Sequence, residues 1–348
     1  MSITSKHILI SRHDNIGDVI LTLPMAAQLK QLNPGVKITL LCRQYAADVV
    51  RYCEDIDDAV AIESVASDLL GFLKKSDIDT VILAQPNHAL AAAAFHAGIR
   101  HRIGNARQKI YQMLYCNRRT YFSKGITNNH EAQINFEFLR PYGVQTIPDC
   151  AHIHALYHFK IPQDPAITTQ LAPYSFNLIL HTKSNGHGRE WPAQYYLALA
   201  QQLEQQPKLH IWLTGSAKEG QWLQENAAAL LALPNVSNLC GQQTLTQLTC
   251  FIHQADGLIA SGTGPLHLSA AIGQRTLGLF PPTRPMHPGR WRALGPRSSN
   301  LCMAKAPCSP GCRRLNEVTC DCMRAITPAA VMEVLQTWIK DQAGQARP

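Results

Sequence analysis

The sequence predicts an α/β protein made of two successive Rossmann-like domains, each a parallel sheet wound with helices. Three observations carry this. The chain has 348 residues, long for one ordinary domain and suited to two. Short, continuously apolar runs alternate with helix-spaced stretches in its first third. The alternation weakens over about 105–170, where Pro162 and Pro165 punctuate the chain, and then restarts.

The elements follow in order. HILIS at 7–11 is a buried-type strand; Gly17 follows, and Ile20, Leu23 and Ala27 then recur at helical spacing, giving a strand, glycine turn and helix. After the Asn33-Pro34-Gly35 breaker, VKITLLC at 36–42 is a second strand, and TVILA at 80–84 a third. In the second half NLILHT at 177–182, LHIWLT at 209–214 and the run at 257–260 are strands, with an alanine-rich amphipathic helix at 193–203. Ligands of such sheets bind at the carboxyl ends of the strands, so a central cleft between the two sheets is the expected site.

With 46% hydrophobic and 16% charged residues, the chain is neither disordered nor fibrous. Its N-terminus lacks the long apolar stretch of a secretory signal, and no run of about 18 apolar residues offers a bilayer span, so a cytoplasmic protein is expected. The net charge of +8 favours anionic partners: nucleotides, phosphorylated sugars, anionic lipid surfaces or nucleic acid. Eleven cysteines in a long chain without a signal read as mostly free thiols. Cys302, Cys308, Cys312, Cys320 and Cys322 crowd together without paired C-x-x-C knuckles, which favours buried or incidental thiols over a structural metal.

Four loops carry candidate chemistry. In Asp14-Asn15-Ile16-Gly17-Asp18, Asp18 opens a helix beside the expected cleft; it fits a catalytic carboxylate, and equally a first-turn acid complementing the helix dipole. The full G-x-G-x-x-G fingerprint is absent. Ser261-Gly262-Thr263-Gly264-Pro265-Leu266-His267 places small residues and Pro265 at a helix start, suited to a diphosphate or to an ordinary glycine loop. Lys183 to Pro192 (KSNGHGREWP) is basic and hydroxyl-bearing, as phosphate clamping requires, with Trp191-Pro192 reading as packing and helix start. Glu219, after the strand at 209–214, suits a ribose or a solvated first turn.

Together ILISRHDNIGDVILTLPMAAQLKQLNP, HTKSNGHGREWPAQYYLALAQQL, LTGSAKE and ASGTGPLHLSAAIGQRTLGLFPPTRP, with the tail CDCMRAITPAAVMEVL, resemble the ordered motifs of glycosyltransferase family 9 over about residues 7–338. That family includes the heptosyltransferases of lipopolysaccharide core assembly. The resemblance implies a GT-B fold: an acceptor-binding domain over 1–168, a nucleotide-sugar-binding domain over 169–325, and a C-terminal helix, 326–348, packing back across the join. It implies inverting, metal-free transfer without a cofactor, from a donor such as ADP-L-glycero-D-manno-heptose. Asp18 matches the general base. Arg189 matches a cationic phosphate position usually held by Lys, Lys183 and Ser184 match phosphate contacts, Glu219 a ribose carboxylate, and Thr263, Gly264, Pro265 and His267 the late donor motif. Asp14 falls off the matching position and is expected to be dispensable.

One departure concerns the sugar: Gly262 stands where the family commonly has Asp. The implied acceptor is a lipid-linked lipopolysaccharide core at the inner face of the inner membrane, with no nucleic-acid partner. Arg100, Arg102 and Arg107, in the basic run IRHRIGNARQK with Lys109, are candidate acceptor contacts or a solvated loop. Two rivals are a sugar-nucleotide epimerase on the same scaffold and a non-catalytic nucleotide-sugar-binding protein.

Overall fold

A computed structural model describes residues 2–123, 128–184, 186, 188–303 and 320–344. The chain divides into two compact units, Met1–Lys160 and Ile161–Pro348. The boundary expected at 168 falls inside the helix Pro165–Leu171, which belongs to the second unit: it packs on the helix Leu245–Gln254, with Thr168 Oγ1 2.6 Å from the side-chain amide of Gln254. The strand-like stretch just before it stays with the first unit, where Glu54 N donates to His158 O at 2.8 Å and Lys160 N to Tyr52 O at 2.8 Å.

The N-terminal unit holds a six-stranded parallel sheet in the order β3-β2-β1-β4-β5-β6. Its strands are β1 His7–Ser11, β2 Lys37–Cys42, β3 Asp58–Ala61, β4 Thr80–Ile82, β5 His101–Asn105 and β6 Arg118–Thr120. The C-terminal unit repeats the plan as β12-β11-β10-β7-β8-β9. These are β7 Phe176–His181, β8 Leu209–Thr214, β9 Val236–Asn238, β10 Gly257–Ser261, β11 Thr276–Leu279 and β12 Ser298–Leu301. Helices cover both faces of such sheets, so the central strands are apolar without alternation: every residue of β1, β7, β8 and β10 is buried. The chain reverses its direction of travel across each sheet at β1/β4 and at β7/β10, which opens the crevice where α/β sheets take ligands.

Two local details differ from the sequence reading. Gly17 is not the turn residue; it lies inside the helix Ile16–Ile20, and the turn is made by Asn15, an extended N-cap at φ −80° and ψ 154°. The single helix expected after β1 is two, Ile16–Ile20 and Pro24–Leu32. Pro24 has no N–H to continue the first ladder but is well suited to open the second.

The final helix, Pro328–Gly344, lays Val331, Leu335 and Trp338 into the core of the C-terminal unit, on the helix Ala193–Leu203. Gln342 ties it down, accepting from Arg275 Nη1 at 2.7 Å and donating to Asp256 Oδ1 at 2.9 Å. Among the described residues no helix is long and apolar enough to cross a membrane.

Candidate functional site

Each unit carries one cluster of polar side chains at the carboxyl end of its central strands. In the N-terminal unit the cluster is organised by Arg12, the residue after β1, whose side chain is only 2% exposed. Arg12 Nε donates to Asp14 Oδ1 at 2.9 Å, and Nη2 donates to Asp18 Oδ1 and, at 3.3 Å, to Glu131 Oε1. Nη1 reaches Ala84 O at 3.3 Å and Asn135 Oδ1 at 3.4 Å. Burial alone would favour losing the proton, but Asp18, Asp14 and Glu131 outweigh it and hold the guanidinium pKa above its ordinary value.

Asp18 sits in the first turn of Ile16–Ile20 with its side chain 16% exposed and Asp14 is 25% exposed, so two carboxylates of this cluster face both the buried cation and the surface. Glu131 opens the helix Glu131–Phe136 and is 1% exposed. From the same helix Asn135 Nδ2 donates to Leu21 O at 2.8 Å and Thr22 Oγ1 at 3.2 Å, locking it to the end of the helix that carries Asp18. Asp14 belongs to the same cluster, because it shares the guanidinium with Asp18. Burial pushes its carboxyl up to about 6; Arg12 opposes the rise and the neighbouring charge of Asp18 adds to it.

The basic candidates of this unit lie elsewhere, on β5 and its flanks. Arg100 and Arg107 are exposed. Arg102 is spent within the fold: Nε donates to Tyr115 O at 2.7 Å, Nη1 to Ile99 O, and the guanidinium stacks 5.3 Å from the Phe95 ring centre.

In the C-terminal unit the loop after β7 is held by Glu190, which is 4% exposed and which the sequence reading passed over inside a basic loop. Its Oε1 accepts from Ser184 N at 2.8 Å and Ser184 Oγ at 2.9 Å, and its Oε2 from Lys183 Nζ. Lys183 also lies 3.5 Å from the centre of the Trp222 ring, a cation–π contact to the helix Ala217–Asn226. Arg189 is buried beside them. Trp191 packs as expected, its Nε1 donating to Ile326 O at 2.7 Å.

Glu219 closes a capping box: its Oε2 accepts from Ser216 N at 2.7 Å and Ser216 Oγ at 3.0 Å, and Ser216 Oγ accepts from Glu219 N at 3.3 Å. This structural role differs from the solvated first turn that the sequence reading offered, because Glu219 is buried.

The loop after β10 feeds the helix Gly264–Ala271, with Thr263 as N-cap, Pro265 in the first turn and His267 buried behind them. Thr263 makes no side-chain cap bond, and the buried hydroxyls of Thr182, Ser261 and Thr263 find no hydrogen-bond partner among the described residues. Buried hydroxyls without partners beside a helix N-terminus are what an anion-binding turn presents. The two loops touch: a Cβ at Gly188 would stand 3.6 Å from both Gly262 O and Ser184 Cβ. Lys183, Ser184, Arg189, Thr263, Gly264, Pro265 and His267 therefore share one end of one sheet.

Gly262 has a steric reason of its own. A Cβ there would meet Phe280 Cε1 at 3.0 Å, and Phe280, just after β11, is 1% exposed. A side chain at 262 would therefore press on the edge of that ring. Of the cysteine cluster, Cys320 and Cys322 are buried and Cys302 is half-buried, while Cys308 and Cys312 lie outside the described residues.

Three comparisons set this arrangement among known proteins. A Haemophilus influenzae protein provisionally named a glycosyltransferase is 27% identical over 307 residues, covering 83% of this chain and 86% of its own. The lipopolysaccharide core heptosyltransferase OpsX of the same organism is 23% identical over 302 residues, 83% of each chain. The solved E. coli ADP-heptose lps heptosyltransferase II shares the twin-sheet fold, the GT-B type expected, with TM-score 0.74 and 16% identity over 97% of this chain and 99% of that one. The family description glycosyltransferase family 9 (heptosyltransferase) matches residues 69–320. Because that match spans most of both units, the chain belongs to glycosyltransferase family 9, and its activity class is glycosyl transfer.

Proposed function

We propose that this glycosyltransferase moves heptose, with inversion, from ADP-L-glycero-D-manno-heptose to the inner core of lipopolysaccharide, acting from the cytoplasm at the inner membrane. The observation that carries the reading is placement. Asp18 stands at the switch point of one sheet on a buried cation, and Lys183, Ser184, Arg189 and the Thr263–His267 turn stand at the switch point of the other.

In this reading Asp18 takes the proton of the acceptor hydroxyl as its oxygen attacks the anomeric carbon from the face opposite the nucleotide. The bond from that carbon to the diphosphate breaks, and ADP leaves with the electron pair. Lys183, Arg189 and the N–H groups opening Gly264–Ala271 offset the charge that develops on the diphosphate, the task a metal performs in other transferases. His267 backs that turn, and Glu219 is the carboxylate that the resemblance places at a ribose. Purified protein given labelled ADP- and UDP-sugars with a heptose-deficient lipopolysaccharide acceptor should transfer from ADP-heptose, and should do so in chelator. Release of free epimerised nucleotide sugar, or no turnover with any donor, would favour the two rival readings instead.

Gly262 supports a second reading, in which the same site takes another nucleotide sugar. The resemblance implies an aspartate there, and here a Cβ would stand 3.0 Å from the edge of the Phe280 ring. Gly262→Asp needs the buried Phe280 ring to give by a few tenths of an ångström, so it should cost about 1 kcal/mol of stability by overpacking. Gly262→Asp combined with Phe280→Leu should recover most of that loss and alter the ranking of sugar donors more than the affinity for ADP. Donor kinetics with ADP calorimetry check this; equal effects on every donor and on ADP would leave only steric damage.

A pH dependence follows from Asp14. With its carboxyl raised to about 6, the folded protein takes up this proton more readily than the unfolded chain, so the group adds stability as pH falls through that range and loses it as pH rises. Protonation at the same time removes one of the two aspartates sharing Arg12, leaving Asp18 to face the cation with less competition. Transfer should therefore fall as pH drops through about 6. In Asp14→Asn turnover should already be reduced at neutral pH and this limb of the kcat profile should disappear; an unchanged profile would contradict the sharing.

A further inference from the structure

The stretch 80–123 contains six Lys and Arg and no Asp or Glu, in a chain whose net charge is +8. The same stretch concentrates exposed apolar side chains. Ile110 is 81% exposed, Leu114 73%, Tyr121 63%, and Met113 and Phe95 45% each; these are five of the eight large hydrophobic residues exposed among the described residues. Scattered exposed leucines need no explanation, but a cluster does.

The cluster is built, not incidental. Ile110, Met113 and Leu114 recur at positions i, i+3 and i+4, which puts them on one face at the helix Tyr111–Tyr115, while the intervening Gln112 is buried. Tyr111 and Tyr115 hold that helix from behind, packing edge-on to His88 at ring-centre distances of 4.9 and 5.6 Å. Phe95, 5.7 Å from Tyr115, extends the apolar surface across the helix His88–His96. Arg107 and Lys109 precede the helix, and Arg118 and Arg119, both exposed, follow it on β6, which is the edge strand of its sheet and so presents an open flank. Apolar side chains at the tip, cations on both sides and no acid in between are the composition of a surface that enters the headgroup layer of an anionic bilayer. A protein partner would be expected to meet such a basic rim with acids, and a second copy of this same basic face would oppose it charge to charge.

We propose that Ile110, Met113 and Leu114, flanked by Lys109, Arg118 and Arg119, dock the enzyme on an anionic lipid bilayer. The proposal rests on the lipid-linked acceptor of the preceding reading for its purpose, but the docking itself is measured with no acceptor or donor present, so the two fail separately.

The test is flotation and a light-scattering titration with vesicles of phosphatidylcholine alone and of phosphatidylcholine mixed with phosphatidylglycerol. The wild-type chain should bind the anionic vesicles, and raising salt should weaken the binding. Because the three apolar residues project outward, the Ile110→Ser/Met113→Ser/Leu114→Ser variant should fold normally and bind on the order of 10²-fold more weakly or worse. Lys109→Gln/Arg118→Gln should lose about fivefold per charge removed. Turnover on a water-soluble acceptor fragment should be unchanged in the triple serine variant. Equal binding by wild type and the triple serine variant, equal binding to neutral and anionic vesicles, complete competition by soluble glycerol phosphate, or self-association in lipid-free solution that the serine changes abolish would each overturn the proposal.

Discussion

Replacing Arg12 by methionine should cost the N-terminal unit about 3–5 kcal/mol, the usual penalty for removing one partner of a buried ion pair. The size follows from what is left behind. Glu131, 1% exposed, loses the cation at 3.3 Å, and Asp14 and Asp18 lose the charge that offsets their mutual repulsion. Total stabilities of domains are about 5–15 kcal/mol, so this single change should bring the unit close to unfolding. Arg12→Lys keeps the charge but not the fork that reaches three carboxylates, and should recover only part of the loss. Arg12→Met with Glu131→Gln should be less damaging than the sum of the two single changes, because the second removes the stranded charge. Denaturant unfolding of Arg12→Met, Arg12→Lys, Glu131→Gln and the double variant checks this. A loss under about 1 kcal/mol in Arg12→Met would mean that the cluster is screened by solvent and that Arg12 does not organise the site.

This cluster also shows where the sequence stops being informative. Reading SRHDNIGDV along the chain, Arg12 is one more polar residue between a strand and a helix. Its burial is decided by Glu131 and Asn135, which arrive from a helix more than a hundred residues later. Glu190 was hidden for a related reason: in KSNGHGREWP the cations and hydroxyls draw attention, while the single acid that holds Lys183 and Ser184 looks like a solvated neighbour.

What was legible is what local pattern encodes. β1 and β8 are fully buried central strands, and their uninterrupted apolar runs mark their limits without help from the rest of the chain. β9 and β12 are sheet-edge strands, half-exposed throughout, and their sequences VSN and SSNL carry no apolar signature; only pairing to β8 and β11 makes them strands. β6, with the sequence RRT, is an edge strand of the same kind. The motif order still identified the family across these gaps, because the loops after β1, β7, β8 and β10 keep their residues where the sheet needs ligands met.

The second large effect concerns Asp18 and bears on the central claim. Asp18→Asn keeps the side chain's size and one oxygen for Arg12 Nη2, and Asp14 and Glu131 still surround the guanidinium, so the unit should fold. The donor contacts proposed for the other unit are untouched. What is lost is the proton acceptor, and a positioned general base is worth roughly 10²-fold or more. The measurement is ADP-heptose affinity by calorimetry together with kcat on a lipopolysaccharide acceptor for wild type and Asp18→Asn. Donor affinity within about twofold of wild type, with kcat lower by about 10²-fold or more, is the predicted result. Near-normal kcat in a folded, donor-binding Asp18→Asn protein would contradict the assignment of Asp18 as the base.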